Sequence, residues 1–193
     1  MKLLRYGNTN TYYIEGRAGG LLVDTDYAGT LPQFFKAIKA AGIGLREIAC
    51  LLVTHYHPDH SGLAGELQRL GVTLLLVDVQ RAHVHFPDAI FAKDRRPAFR
   101  PVDESAAAVI SCAGSRAFLR GLGINGEILR TPSHSPDSVS LLLDDGTCLV
   151  GDLEPQEYLG GYAHNDALEH DWEQILQRRP KRILYGHVNA REL

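Results

Sequence analysis

At 193 residues, with 45% hydrophobic and 22% charged side chains, the chain has the length and composition of one globular domain with a substantial core. Its net charge of -3 excludes a general pull toward nucleic acid or an anionic membrane, and no apolar run approaches the roughly 18 residues that span a bilayer. Cys50, Cys112 and Cys148 form no Cys-X-X-Cys pair, which excludes a disulfide framework and a thiolate zinc site.

In chain order, Thr11 to Ile14 and Leu21 to Asp24 read as two strands joined by the glycine-rich turn Gly16 to Gly20. The start of the chain, Met1 to Gly7, lacks the apolar stretch of a signal peptide, so a cytoplasmic location is expected. Apolar positions Leu31, Phe34, Phe35, Ile38 and Ala41 recur at helical spacing and predict a helix over 28–41, ended by Gly42 and Gly44. Ile48 to Val53 is a continuous apolar run of buried-strand length. A helix over 61–70 and a strand over 72–77 follow, giving the strand-helix alternation of a layered α/β domain. The pattern weakens after Asp78, where Gln80 to Phe86 predicts a helical turn or two and the alanine-rich 106–122 a helix. Strand patterns resume at 127–130. Ser138 to Leu143 and Thr147 to Val150 flank Asp144-Asp145-Gly146, a hairpin signal, and Asp166 to Arg178 predicts an amphipathic helix capped by Asn165 or Asp166. A last strand covers 182–185.

The chemistry concentrates in Thr54-His55-Tyr56-His57-Pro58-Asp59-His60, at the end of the run 48–53. Alternate residues of an extended segment point the same way, so His55 and His57 can converge on one ion. Pro58 turns the chain, and Asp59 and His60 then stand at a helix entrance, aimed at the same cavity from another direction. Isolated histidines are usually ordinary loop residues. Four metal-competent groups within six positions point instead to a metal site.

This His-X-His-X-Asp-His string resembles the metallo-β-lactamase-fold hydrolases. Three later stretches resemble that family's remaining ligand motifs in order: Thr131 to Pro136 with His134, Leu149 to Asp152, and Ile183 to His187. Taken singly, His134 reads equally as a loop histidine, Asp152 as a turn cap and His187 as a strand-end surface group; together, each at the end of a strand, they fit the family. The resemblance implies a four-layer αββα sandwich, with helices outside two facing sheets. It assigns His55, His57 and His134 to one metal and Asp59, His60 and His187 to a second, with Asp152 bridging. Zinc suits this set first, and iron or manganese also. Asp24 resembles the family's supporting Asp behind the histidines, although an Asp at a strand end also caps turns. Asp137 and Val188 depart from the family pattern, standing where glycine is common.

The implied activity is hydrolysis of a small ester, thioester or lactone by a metal-bridging hydroxide that Asp59 helps to orient. An Asp at position 152 argues against β-lactam antibiotics as substrates. An alternative is an oxidoreductase similar to the persulfide dioxygenases, which hold one iron. The chain shows no C-terminal extension of the kind that holds glutathione in glyoxalase II-like enzymes, so a free small-molecule substrate is expected, with no nucleic-acid or membrane partner; the oligomeric state stays open, a homodimer included. Candidate substrate contacts are Tyr56 on the metal loop, Tyr162 and His164 after the bridging Asp, and Arg95, Arg96 and Arg100, whose proline-restrained basic run could hold an anionic group or form only a solvated face. His83, His85 and His170 are not needed.

Overall fold

The computed structural model describes residues 1–94, 98–161 and 165–193. Strands β1 (Lys2–Leu4), β2 (Thr11–Ile14), β3 (Gly20–Val23), β4 (Ile48–Leu52), β5 (Thr73–Val77) and β6 (Ala108–Ile110) form one sheet in that spatial order. The first three pair antiparallel, and β3 to β6 run parallel. A second sheet has the order β11-β10-β9-β8-β7, from β7 (Gly126–Arg130), β8 (Val139–Leu143), β9 (Thr147–Leu149), β10 (Arg182–Leu184) and β11 (Arg191–Glu192). Its β9 and β10 are parallel and its other pairs antiparallel.

Because strand side chains alternate in direction, each sheet divides its residues between two cores. In β4, Cys50 and Leu52 enter the core between the sheets, with Leu21, Val23, Leu75, Leu141 and Leu149, while Ile48 and Leu51 turn outward. That outer face is covered by Phe34 and Ile38 of helix α1 (Leu31–Ala40) and by Ala64 and Leu67 of a later helix described below. On the far side Leu142, Cys148 and Ile183 meet Leu168, Trp172 and Ile175 of the helix Asp166–Gln177. The result is the expected αββα layering. Burial of each such leucine contributes about 1.5 to 3 kcal/mol, which is why the strands read as near-continuous apolar runs.

The expected helix over 61–70 is broken into α2 (Pro58–Ser61) and α3 (Ala64–Arg69). Gly62 at the break lies against the 26–28 backbone, where a β-carbon would stand 2.3 Å from the Ala28 nitrogen. The segment 78–126 departs further from expectation. Helix α4 spans Phe86–Lys93, beyond the predicted turns at 80–86. The alanine-rich 106–122 is not one helix: Ala108–Ile110 pairs with Leu75 to Val77 as edge strand β6, and only Ser115–Leu122 forms helix α5. An available sheet edge and β-branched Val109 and Ile110 outweigh alanine's helix propensity. Asp144-Asp145-Gly146 makes the predicted hairpin, with Gly146 at φ 92°. Helix α6 (Asp166–Gln177) is capped by Asn165, whose Oδ1 accepts the Leu168 N–H. Among the described residues, no helix is long and apolar enough to cross a membrane.

Candidate metal centre

The loops after β4, β7, β9 and β10 gather at one end of the two sheets and bring together all seven side chains of the expected ligand set. After β4 the chain stays extended through His57 (φ -70°, ψ 151°), and Pro58 then opens α2 at a position where a missing N–H costs nothing. Three groups result in which every ligand atom lies within 4.8 Å of the others: His55, His57 and His134; His55, His60 and Asp152; and Asp59, His60 and His187. Asp152 reaches both halves. Its Oδ1 is 3.1 Å from His60 Nε2, and its Oδ2 is 3.4 Å from His187 Nε2, 3.8 Å from His134 Nε2 and 4.0 Å from His55 Nε2. Asp59 Oδ2 lies 3.2 Å from His187 Nε2. Gly186 completes the fit, because a β-carbon there would stand 2.6 Å from Asp152 Oδ1.

The hydrogen bonds behind the rings decide which nitrogens face inward with lone pairs. Asp24 Oδ2 accepts from His60 Nδ1 at 2.9 Å, leaving Nε2 bare. The Thr54 hydroxyl donates to Asp24 Oδ2 at 2.8 Å, so its oxygen can only accept from His55 Nδ1, 3.2 Å away. His55 Nε2 is therefore also a bare acceptor, and it is buried without a hydrogen-bond partner, as is Asp152 Oδ1. The Asn8 carbonyl stands 3.1 Å from His187 Nδ1, which fixes that ring in the same sense. Bare His60 Nε2 and His187 Nε2 then face each other at 3.1 Å, with Asp152 Oδ1 equally close to His60. Lone pairs repel at such distances unless a positive charge lies between them. The 3.1 Å contact of His60 Nε2 with Asp152 Oδ1 is a hydrogen bond only where His60 carries a second proton, and a cation takes that proton's place.

Protonation shows the same need for a cation. Burial opposes charge on His60, yet Asp24 and Asp152 outweigh it and push its pKa up to about 10. Burial and the neighbouring imidazoles hold His55 well below the usual histidine range, and burial lowers His134 despite Asp152. Burial would raise Asp152, but His60, His187 and His134 bring it below the usual carboxylate value. A divalent ion satisfies these donors together, and two carboxylates with five imidazoles suit zinc or iron.

Asp24 stands behind the His60 ring, at a left-handed φ of 59° that its three acceptor contacts hold: Thr54 N at 2.6 Å, Thr54 Oγ1 and His60 Nδ1. Tyr56 turns away from the ligand cluster. It is 1% exposed, and its ring is packed with Phe34 and Leu63 on the helix-covered side, because side-chain alternation turns it away from His55 and His57. Arg100 donates from Nη1 to the Phe99 carbonyl at 2.8 Å, and its charge acts on Glu66 of α3. Arg95, Arg96, Tyr162 and His164 lie outside the described residues. His85 pairs with Asp88 and Glu104 at the surface.

Sequence reasoning missed the cleft beside the centre. It has a volume of about 320 Å³ and is lined next to His134, Asp152 and His187 by Leu153, Pro155, Tyr158, Tyr185 and Val188. Exposed Phe86 packs on His57 from the other side, with ring centroids 5.5 Å apart. No periodicity marks such residues, since they come from three separate loops.

The sequence matches the profile of the metallo-beta-lactamase superfamily over residues 4–187. The Drosophila melanogaster "Beta-lactamase-like protein 2 homolog" is 28% identical over 192 residues, covering 95% of this chain and 60% of that protein; the chain spans about three fifths of that relative's length. Among solved structures, TTHA1623 in a di-iron-bound form aligns with a TM-score of 0.75 at 21% identity, covering 100% of this chain and 94% of that one. The chemotaxis sensor ODP, solved as a diiron species, aligns with a TM-score of 0.70 at 18% identity over 99% of this chain and 83% of that one. Both structural likenesses speak to the fold. With a profile matched across nearly its whole length, the chain belongs to the metallo-beta-lactamase superfamily.

Proposed function

We propose that the protein is a hydrolase dependent on two divalent metal ions, zinc in the first place, acting on a small uncharged ester, thioester or lactone. The observation that carries this reading is the reach of Asp152 to both halves of the centre, within 4.0 Å of His55 and 3.1 Å of His60. In the assignment it supports, His55, His57 and His134 would hold one ion, Asp59, His60 and His187 the other, and Asp152 would serve both. Bound there, such ions would polarise a carbonyl and bring the pKa of a coordinated water from 15.7 down to about 7. The protein contributes position and proton handling. Asp59, with Oδ2 turned to His187, accepts a proton from the attacking water at its carboxylate. The water oxygen bonds to the acyl carbon, the C–O or C–S bond breaks, and the proton passes from Asp59 to the leaving group.

The cleft supports an uncharged acyl portion. Among the described residues lining it there is no lysine or arginine, Glu154 brings a negative charge, and Arg191 nearby is held by Glu157. Among these described residues an anionic tail would meet no lysine or arginine. A second reading, an iron-dependent oxidoreductase, is favoured by one observation: His55, His60 and Asp152 form a two-histidine, one-carboxylate group, a set suited to iron. The di-iron form of TTHA1623 is consistent with iron in this fold.

Protein purified without added metal, then stripped with chelator and reconstituted, tests both. Two zinc ions per chain and metal-restored cleavage of a neutral thioester or lactone are expected. Cleavage that survives complete metal removal would sink hydrolysis by this route. One iron per chain with thiol-dependent oxygen uptake would establish the second reading instead.

A further inference from the structure

Two metal-binding loops belong to different sheets, and a buried polar knot fastens them together. Asp137 follows His134 by three residues and is buried. Its Oδ2 accepts the backbone N–H of Tyr56, the residue between His55 and His57, at 2.7 Å. Its Oδ1 accepts from the hydroxyl of Ser135, the neighbour of His134, at 2.8 Å. Gln80, fully buried in the turn after β5, binds the same junction: its Nε2 lies 2.8 Å from the Val53 carbonyl, 3.3 Å from that of Thr54 and 3.2 Å from that of Asp137. Its Oε1 accepts the Val77 N–H at 3.2 Å, so the amide is anchored in the first sheet. One backbone bond, Val139 N to the Thr54 carbonyl at 2.9 Å, joins the two loops directly.

We infer that Asp137 and Gln80 are positioning residues that pre-assemble His55, His57 and His134 as one metal half-site before any ion arrives. This rests on the proposed ligand assignment. A carboxylate taken out of water needs donors to offset its desolvation, and the two that Asp137 has are on the two loops that must meet. Separating the loops would strand that charge, so the carboxylate ties His134 on the second sheet to His55 and His57 on the first. The other half-site is held by different groups: Asp24 fixes His60, and segment 8–10 spans its loops, with the Thr9 hydroxyl donating to the Asp59 carbonyl at 2.7 Å and Asn10 Nδ2 to the Tyr185 and Val188 carbonyls at 3.0 Å. Asp137 and Gln80 should therefore set the affinity of one ion and not of the other.

The experiment is a competitive-chelator titration of the metal-free full chain with zinc, repeated with cobalt to follow the ligand-field spectrum of each site. The wild type is expected to fill in two steps. Asp137→Ala should weaken the tighter step by about 10- to 100-fold, the usual cost of losing a group that orients ligands, and leave the weaker step in place. Asp137→Asn, whose amide oxygen can still accept the Tyr56 N–H, should recover most of the loss. Gln80→Met keeps the side-chain length but removes the Nε2 donor; it should weaken the same step and serves as the deciding variant where Asp137→Ala does not fold. Native affinity for both ions in either variant, or equal weakening of both steps, would overturn the inference even where the melting temperature falls. A wild-type chain that binds no zinc or cobalt would instead overturn the ligand assignment beneath it.

Discussion

Replacing Asp24 by asparagine is an informative perturbation because it alters one atom without disturbing the backbone. Asparagine tolerates the left-handed φ of 59° that Asp24 adopts, so strain does not confound the result. Asp24 receives three donors: Thr54 N at 2.6 Å and Oγ1 at 2.8 Å, and His60 Nδ1 at 2.9 Å. An amide can keep its oxygen on Thr54 N, but its NH2 then faces the Thr54 hydroxyl and the His60 ring, both of which had been donating. His60 escapes the clash by moving its proton to Nε2, the nitrogen that points at His187 and Asp152. That tautomer cannot bind a cation. Affinity for the ion shared by Asp59, His60 and His187 should therefore fall about 10- to 100-fold. Metal-free stability should fall by about 1.5 to 3 kcal/mol for each charge-assisted bond lost. Chelator competition and urea melts of the metal-free and loaded protein measure the two effects. An Asp24→Asn protein that binds both ions with native affinity would refute the tautomer reasoning.

Further outcomes follow from the same geometry. Asp152→Ala should lower the metal content from two ions per chain and abolish turnover, whereas His170→Ala, on the exposed side of α6, should change neither; atomic absorption on the purified variants checks this. Gly186→Ala, which places a methyl 2.6 Å from Asp152 Oδ1, should lose metal while the chain still folds, measured by circular dichroism beside metal analysis. Leu52→Ala, at the centre of the inter-sheet core, should cost about 2 to 5 kcal/mol in a denaturant titration. The pH dependence of the metal-free protein has a definite sign. The His60 pKa is raised in the fold to about 10 from an ordinary 6.5, so its contribution is fully present below pH 6.5 and is lost as the pH rises toward 10. Metal-free stability should then decline over that window, while metal affinity rises because the ion displaces the proton. Melts from pH 6 to 10 with chelator present, flat across the window, would contradict it.

Legibility in the sequence followed the range of the forces involved. Ile48 to Val53, Leu74 to Val77 and Leu141 to Leu143 were readable as strands because burial on both faces requires unbroken apolar runs. The seven ligand candidates were readable because metal chemistry restricts residue type, and strand ends restrict position. Tyr56 was misread because neighbouring residues on an extended chain point oppositely, so adjacency to two ligands is evidence against sharing their cavity. Ala108 to Ile110 could not be read as a strand, since what recruits it is the free edge of β5, some thirty residues earlier. Gln80 gave no signal, and Asp137 only a departure from the glycine common at its position. Their partners are main-chain groups of distant loops, and backbone atoms leave no trace in residue identity.

Charge connects the supporting residues to the substrate. Two divalent ions bring four positive charges to the centre in the proposed assignment. Asp59 and Asp152 within it, and Asp24 and Asp137 buried behind it, bring four negative ones. These carboxylates, with buried Asp171 behind Ser133, offset that positive charge before substrate arrives. An enzyme that drew in a phosphate or carboxylate by charge would need cations around the cleft. Here the described lining holds Glu154 and apolar Leu153, Pro155 and Val188, and Arg191 is occupied by Glu157. Buried pairs of this kind are screened little by salt, so the offset persists at physiological ionic strength. The energy available for holding substrate is then mainly apolar contact, about 25 cal/mol for each Å² covered, concentrated on Tyr158, Val188 and Phe86 around the rim. In the proposed function the described lining is expected to reward each added methylene of an acyl group, and it offers no lysine or arginine to a charge at its end.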